Sequence, residues 1–243
     1  GINSKYRVTA SHGARLYYAN WGIAGQVEPI EAYFDEALRI WVPHRDLNSA
    51  GRAIPIIREK FPTHRSFAQA TIEQILGDMM HRAHVLEANW LATTVFLNKG
   101  ARFEAASLTH CAQYTPAFGI NVADFNGDGN EDIFLSQNFF AVQPQTSRND
   151  PGRGLLLKGN GDGTFAEMDG ARSGIKIYGE QRGSAVADYD QDGRVDLVVS
   201  QNAAATTLWH NVRARPGLRV RLDGPAGNPN GIGAILRLRS GNG

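Results

Sequence analysis

The sequence predicts a mainly β fold built from repeated hairpin units, with one helical insertion. A first observation is a stretch that occurs twice, at Gly119–Asn138 (GINVADFNGDGNEDIFLSQN) and at Gly183–Asn202 (GSAVADYDQDGRVDLVVSQN). A second is the spacing of the copies, because Asp188 lies 64 residues after its counterpart Asp124. Repeats of about 40–50 residues or more with several strands each are typical of β-propeller blades. A third is the 27 glycines in 243 residues, which suit a turn-rich β protein.

Each copy contains an acidic loop of the form D-x-[DN]-x-D-G-x-x-D. We call Asp124–Asp132 loop 1 and Asp188–Asp196 loop 2. Several carboxylates in one short loop repel each other unless a cation lies among them. Oxygen donors without Cys or His select a hard ion, Ca²⁺ before Mg²⁺ or Mn²⁺. The sequence therefore predicts two Ca²⁺ sites. Their candidate ligands are Asp124, Asn126, Asp128, Asn130 and Asp132 in loop 1, and Asp188, Asp190, Asp192, Arg194 and Asp196 in loop 2.

The spacing assigns a role to each loop position. Positions 1, 3 and 5 point into a curled loop, and the glycine at position 6, Gly129 or Gly193, permits the sharp turn. Position 7 offers its backbone carbonyl, since the arginine side chain found there in loop 2 would repel the ion, and the Asp at position 9 closes the site. An EF-hand needs Glu at position 12, where this chain has Leu135 and Val199. We therefore expect Ca²⁺ loops that join two strands; the alternative is a pair of solvated turns without an ion.

A degenerate third copy of the loop is predicted at Asn20–Glu28. It keeps a glycine at position 6, Gly25, but has Gly22 and Ala24 at positions 3 and 5. The two ligands left at positions 1 and 9 cannot hold Ca²⁺ firmly. We therefore expect a repeat that keeps the turn and has lost the metal.

Residues 29–92 differ from the repeats and are predicted to form the helical insertion. Pro29–Leu38 is expected to begin a short helix, and Asp46–Phe61 to form a short irregular helical piece. Ser66–Asn89 gives the strongest helical signal. Ser66 can cap this segment, and its apolar residues recur at three- and four-residue steps.

The β pattern resumes after the insertion and then changes near the C-terminus. Thr93–Phe103 predicts a strand, an Asn-Lys-Gly turn and a second strand, with counterparts at Leu155–Phe165 and, in part, Thr207–Asn211. The predicted partial propeller covers residues 1–211. Residues 212–243 are predicted to begin a second, incomplete β domain, because Gly217–Gly243 alternates apolar and basic residues around a Gly/Asn/Pro turn.

Composition limits the classes of partner. The net charge is +1, so no bulk attraction to nucleic acid is expected, and no apolar run approaches the ~18 residues of a membrane span. A single cysteine, Cys111, excludes an internal disulfide and is expected to serve in packing. The chain begins at Gly1 rather than Met, so we expect a missing upstream segment, and the lack of a signal peptide carries no information.

Two features together carry a family resemblance. The V-A-D-[FY]-[ND]-x-D-G-x-x-D loops and the NGDGTF turn at residues 160–165 resemble the FG-GAP/VCBS repeats of integrin-α-type β-propellers. Residues 211–241 resemble the start of the ASPIC/UnbV domain that often follows such propellers. The resemblance implies Ca²⁺ bound by loops 1 and 2 on one face of a propeller that usually has seven blades. At 64 residues per unit this chain cannot supply seven blades, so we expect a C-terminal part of a longer protein.

The expected function is that of a Ca²⁺-stabilised, non-catalytic repeat module that binds a protein or glycan ligand in adhesion. Weak Ca²⁺ sites would be empty in the cytoplasm, so the expected location is secreted, extracellular or at the cell surface, the periplasm included. Two alternatives stay open. One is a polysaccharide lyase or hydrolase on a propeller scaffold, and the other is a structural or assembly subunit of a surface polymer that self-associates through open strand edges.

Overall fold

A computed structural model of the chain describes residues 2–21, 26–144, 146–218 and 220–237. These residues form thirteen strands in four antiparallel sheets, together with five short α-helices and two 3₁₀ helices. The expected mainly β fold is therefore confirmed. Within the described residues, none of the four sheets closes into a ring.

The first sheet has the strand order β3-β2-β1-β4. Its strands are β1 (Ala14–Ala19), β2 (Glu28–Asp35), β3 (Ile40–Pro43) and β4 (His84–Ala88). Strand β1 pairs on both sides, with Tyr17 opposite Ile30 of β2 and Val85 of β4. The sheet thus joins segments that lie before and after the helices.

The prediction that a short helix begins within Pro29–Leu38 is wrong, because most of this segment is strand β2. Ile30 and Ala32 are 5% and 0% exposed, whereas Glu31 between them contacts Lys5 and Tyr6 on the other face. Burial of every second residue is the pattern of a strand. Ala32, Tyr33 and Phe34 are consecutive apolar residues, so the sequence does not show the two-residue period of the strand.

The helices lie between β3 and β4. They are α1 (Leu47–Ala53), α2 (Pro55–Lys60), α3 (His64–Ala68) and α4 (Ile72–Leu76), followed by a 3₁₀ helix at Gly77–Arg82. The predicted helical insertion at 29–92 is therefore helical only between flanking strands of the first sheet. No helix in the described ranges combines the length and the apolar character needed to cross a membrane.

The single long helix predicted at Ser66–Asn89 is also wrong. Thr71 starts a new helix, because its Oγ1 accepts a hydrogen bond from Gln74 N (3.2 Å) and its own N–H donates to Gln74 Oε1 (2.9 Å). Gly77, with φ at +52°, ends that helix. These local caps override the helical spacing of the apolar residues, and the chain then enters β4.

The first core forms where these helices cover one face of the first sheet. Its largest fully buried side chains come from β1, from three helices and from the residue between α1 and α2: Tyr17, Leu47, Ile54, Ile57, Ile72, Ile75 and Leu76. The first sheet and the helices therefore form one packed unit that precedes the repeats.

The repeats form the remaining sheets. The second sheet is the meander β7 (Ala117–Ala123), β8 (Asp132–Gln137), β9 (Leu155–Gly159) and β10 (Phe165–Met168). A one-turn helix, α5 (Gly170–Ser173), leads to the third sheet: β11 (Glu180–Ala187), β12 (Asp196–Asn202) and β13 (Ala204–Trp209). The hairpin of β5 (Thr94–Asn98) and β6 (Phe103–Ser107) confirms the hairpin predicted at Thr93–Phe103.

The second and third sheets pack against each other. Phe134 of the second sheet and Leu197 and Val199 of the third share one buried core. Asn138, which follows β8, donates through Nδ2 to Gly152 O and to Gly179 O, each at 3.0 Å. These contacts fix one repeat beside the other.

The C-terminal hairpin predicted within Gly217–Gly243 is wrong for the residues that the structure describes. Residues 217–218 and 220–237 contain no strand, and Leu218 and Ile235 are 73% and 78% exposed. An alternating segment forms a stable hairpin only when its apolar face packs on other residues. Arg219 and residues 238–243 lie outside the described residues.

Candidate metal centre

Loops 1 and 2 occupy equivalent places in the two repeat sheets. Loop 1 joins β7 to β8, and loop 2 joins β11 to β12. In each loop the last Asp is also the first residue of the following strand and is buried. The expectation of acidic loops between two strands, rather than between two helices, is thus confirmed.

Loop 1 is curled around the carboxylate of Asp124. Its Oδ1 accepts from Gly127 N (2.7 Å) and Asp128 N (3.1 Å), and its Oδ2 accepts from Gly129 N (2.8 Å). Asn126 Oδ1 accepts a second bond from Asp128 N (2.8 Å). Gly129 has φ at +89°, as the sharp turn at position 6 requires.

The remaining predicted ligands of loop 1 have different surroundings. Asp132 is fully buried, and its two oxygens accept from Phe125 N (3.0 Å) and Gly159 N (2.8 Å). Burial raises the pKa of the Asp132 carboxyl. The backbone N–H of Asn130 donates to Asp128 Oδ1 (3.0 Å), so this residue also stays within the loop.

Loop 2 brings its carboxylates closer together. Oxygens of Asp188, Asp190 and Asp196 all lie within 4.8 Å of one another. Asp188 Oδ2 accepts from Gly193 N (3.1 Å), whereas Asp188 Oδ1 is buried and has no hydrogen-bond partner. A buried, unpartnered carboxylate oxygen among other carboxylates costs free energy unless a cation reaches it.

The donor set of loop 2 therefore fits a hard cation. Carboxylate oxygens are the ligands that Ca²⁺ prefers, and the unpartnered oxygen of Asp188 gives the ion a place to bind. Among the described residues, loop 1 does not bring three carboxylates within this distance. Acidic clusters that could hold a metal ion are thus present in the protein.

Basic side chains contact both loops, which the sequence analysis missed. Lys158 Nζ lies 2.9 Å from Asp128 Oδ2, and this hydrogen bond lowers the pKa of Asp128 to about 2. His210 Nε2 lies 2.8 Å from Asp190 Oδ2 and 3.4 Å from Asp192 Oδ2. Each loop therefore has a basic side chain beside its predicted ligands.

The side chain of Arg194 also contacts loop 2, whereas the sequence predicted a role for its backbone carbonyl alone. Its Nη1 pairs with Asp192 Oδ2, and its Nε donates to Ala214 O at 2.8 Å. The guanidinium thus folds back over the loop and ties it to the segment after β13. The Arg194 carbonyl stays a predicted ligand.

The missed residues occupy equivalent register positions. Ile133 lies opposite Leu157, and its counterpart Leu197 lies opposite Trp209. The residue after Leu157 is Lys158 and the residue after Trp209 is His210, and these are the basic residues that contact the loops. A comparison of LLLKGN at 155–160 with TTLWHN at 206–211 would have shown this signal in the sequence.

Asn211 connects the two loops. Its backbone N–H donates to Asp196 Oδ1 (2.8 Å), as Gly159 N does to Asp132 in the other repeat. Its Nδ2 donates to Phe125 O of loop 1 (2.8 Å). The backbone of one loop and a ligand of the other are therefore bonded to the same residue.

The degenerate loop predicted at Asn20–Glu28 lies partly outside the described residues, because residues 22–25 are not described. At its edges, Trp21 Nε1 donates to Glu28 O at 2.7 Å. This bond brings the two ends of the segment together. The loss of metal binding there stays a prediction.

The chain matches no family model. It is similar to cartilage acidic protein 1 of Xenopus tropicalis, with 31% identity over 109 residues. The match covers 45% of this chain and 15% of that protein. The chain therefore spans only a small part of the length of this relative.

Proposed function

We propose that this chain is a Ca²⁺-stabilised repeat module of a β-propeller that works outside the cell and binds a protein or glycan partner. The observation that carries the proposal is loop 2, where three carboxylates converge and Asp188 Oδ1 is buried without a partner. A cation among these oxygens would remove their mutual repulsion and satisfy that atom.

The arrangement of the repeats supports blades of a propeller. The second sheet is a four-stranded antiparallel meander, and the third sheet repeats its first three strands. Their first strands, β7 and β11, each lead into an acidic loop, and Asn211 joins the two loops. Side-by-side meanders whose equivalent loops lie at one end are the arrangement of neighbouring blades.

A binding role is supported by an exposed surface at the end opposite the loops. Phe118 lies near the start of β7 and Tyr178 just before β11, and both rings are exposed. The Arg182 guanidinium lies 4.1 Å from the Phe118 ring centroid, and that of Arg153 lies 4.7 Å from Tyr178. Aromatic and arginine side chains are enriched in protein interfaces.

A location outside the cell is supported by the type of site. Solvent-accessible Ca²⁺ loops of extracellular modules bind with Kd values of about 10⁻⁴–10⁻³ M. Such sites fill in millimolar Ca²⁺ and stay empty at cytoplasmic concentrations. The similarity to a protein named for cartilage agrees with this location.

The proposal predicts that Ca²⁺ stabilises the fold. At a Kd of about 10⁻⁴ M and 1 mM Ca²⁺, one site adds about 1.4 kcal/mol to the free energy of unfolding. We expect thermal unfolding of the chain to shift to higher temperature in Ca²⁺ relative to EDTA. Differential scanning calorimetry in the two buffers measures this shift.

The Asp188→Asn variant tests the assigned site. It removes a charge but keeps an oxygen for Gly193 N, so in EDTA it should melt at the wild-type temperature or above. In Ca²⁺ it should lose much of the stabilisation. Asp162→Asn, in the β9–β10 turn, is the control and should keep the full Ca²⁺ shift. Equal melting of wild-type protein in EDTA and Ca²⁺ would overturn the proposal.

A further inference from the structure

A cavity of about 400 Å³ opens between the second and third sheets. It is lined from one side by β9, β10 and α5, and from the other by β12, β13 and the segment that follows. Pockets that hold small organic ligands have volumes of about 300–1,000 Å³. The cavity therefore has room for a compact molecule with one or two rings.

The interior of this cavity is apolar. Leu156, Ile175 and Leu197 belong to the core shared by the two repeats, and each is buried. Met168 and Trp209 are partly buried and line the same space. An indole and a thioether offer a broad, polarisable surface to an apolar ring.

The charged side chains that line the cavity are basic. Arg172 lies on α5, and Arg213 lies four residues after the end of β13. Within the described part of the chain, neither guanidinium makes a hydrogen bond or an ion pair, and no Asp or Glu lines the cavity. The remaining ionisable residue, His210, is engaged by the carboxylates of loop 2. The charge of the cavity is therefore complementary to an anion.

We propose that this cavity binds a small organic anion that joins an apolar ring system to a carboxylate or sulfonate group. The rings pack against Trp209 and Met168 over the apolar interior, and the anionic group pairs with Arg172 and Arg213. Apolar burial supplies affinity, and the two guanidinium groups select for the negative charge.

Two fluorescent probes that differ only in one sulfonate group test the proposal. 1-Anilinonaphthalene-8-sulfonate carries an anionic group, and N-phenyl-1-naphthylamine has the same ring system without it. We expect the sulfonate to bind at least about tenfold more tightly than the neutral probe, because each charge-assisted hydrogen bond strengthens binding by about this factor or more. Fluorescence titration of the full chain measures both dissociation constants.

Variants identify the groups responsible. Arg172→Gln and Arg213→Gln should each weaken sulfonate binding about tenfold and leave binding of the neutral probe unchanged. Arg148→Gln is the matched control, because Arg148 stacks on Phe140 outside the cavity. Equal affinity for both probes, or sulfonate binding that is indifferent to Arg172 and Arg213, would overturn the proposal.

The position of the probe is checked through the indole N–H signals in a ¹⁵N–¹H NMR spectrum. The Trp209 signal, assigned with Trp209→Phe, should shift on addition of the sulfonate. The exposed Trp90, which is not part of the cavity, should keep its signal unchanged. A shift of Trp90 with none at Trp209 would place the probe elsewhere and would contradict the assignment.

Discussion

Asp124 and Asp188 hold the same position in their loops, yet their oxygens are used differently. Asp124 accepts three backbone hydrogen bonds, whereas Asp188 accepts one and leaves Oδ1 buried without a partner. A buried acceptor without a partner costs about 1–3 kcal/mol. The spacing of acidic residues therefore identifies both loops, but the hydrogen bonds decide which of them most needs a cation.

The sequence identified the loop residues because their spacing is local. It missed Lys158 and His210, because Lys158 contacts loop 1 from strand β9 and His210 contacts loop 2 from just after strand β13. The equivalent places of Lys158 and His210 in the two repeats point to these contacts only once the strand register beside each loop is known. The side-chain position of Arg194 was missed for a related reason, since its partner Ala214 lies beyond β13.

Cys111 is predicted to be a slowly reacting thiol. Its Sγ donates to Glu167 Oε2 (2.9 Å). Burial and this carboxylate raise the pKa of Cys111 to about 11. At pH 8 only about one thiol in a thousand is then ionised. We expect the rate of alkylation by iodoacetamide to rise about tenfold per pH unit up to about pH 10, as measured by mass spectrometry.

Glu167→Gln removes the negative charge that opposes thiolate formation. The pKa of Cys111 should fall, and alkylation at pH 8 should become faster. Glu104→Gln, on the exposed strand β6, is the control and should react like wild type. Equal alkylation rates in all three proteins would show that Glu167 does not control this thiol.

At the scale of elements, the turn between β12 and β13 contains a strained residue. Ala203 has φ at +55°, a left-handed conformation that costs a residue with a Cβ about 1–2 kcal/mol. Ala203→Gly removes this strain but raises the conformational entropy of the unfolded chain. We expect a net gain of about 0.5–1 kcal/mol in the free energy of unfolding, measured with urea.

The neighbouring alanine provides the control. Ala204 is the first residue of strand β13 and does not have a left-handed conformation, so a glycine there relieves no strain. Ala204→Gly should therefore destabilise the protein by about 0.5–1 kcal/mol. If both substitutions changed stability in the same direction, strain at Ala203 would not be the cause.

Elements were predictable where strand-forming residues flank a clear turn. The hairpin of β5 and β6 has such residues on both sides of an Asn-Lys-Gly turn, and the structure forms the hairpin there. The helix expected at Ser66–Asn89 failed, because Thr71 and Gly77 restart and end helices within that segment. Short-range caps and turns thus decided the elements that hydrophobic spacing left ambiguous.

At the scale of the molecule, the repeat period predicted two similar sheets but not their surroundings. The first sheet pairs β1 with β4, which lies across the helices. No short-range pattern marks that pairing, because the two strands are far apart in the sequence. The predicted C-terminal hairpin shows the opposite case. Its sequence alternates clearly, but residues 220–237 contain no strand.

The bonds of Asn211 have an energetic consequence for the whole repeat pair. Because one residue holds both the backbone of loop 1 and Asp196 of loop 2, ordering either loop helps to order the other. If loops 1 and 2 both bind Ca²⁺, as we propose, binding at one loop should favour binding at the other, and linkage requires the effect to be reciprocal. We expect each bound Ca²⁺ to raise the affinity of the other loop about fivefold, a coupling of about 1 kcal/mol.

Isothermal titration calorimetry with Asn211→Ala tests this coupling. The variant loses the Nδ2 bonds to Phe125 O and Val195 O and the bond that Oδ1 accepts from Ala214 N, but it keeps its backbone N–H for Asp196. The predicted ligands of both loops are unchanged. Its two sites should fill independently, whereas in the wild type they should fill with a Hill coefficient above one. Asn160→Ala, in the β9–β10 turn, should retain the wild-type curve. Identical curves for Asn211→Ala and wild type would mean that the two loops bind Ca²⁺ independently.

If the coupling holds, the repeat pair responds to a narrower range of Ca²⁺ concentration than either loop would by itself.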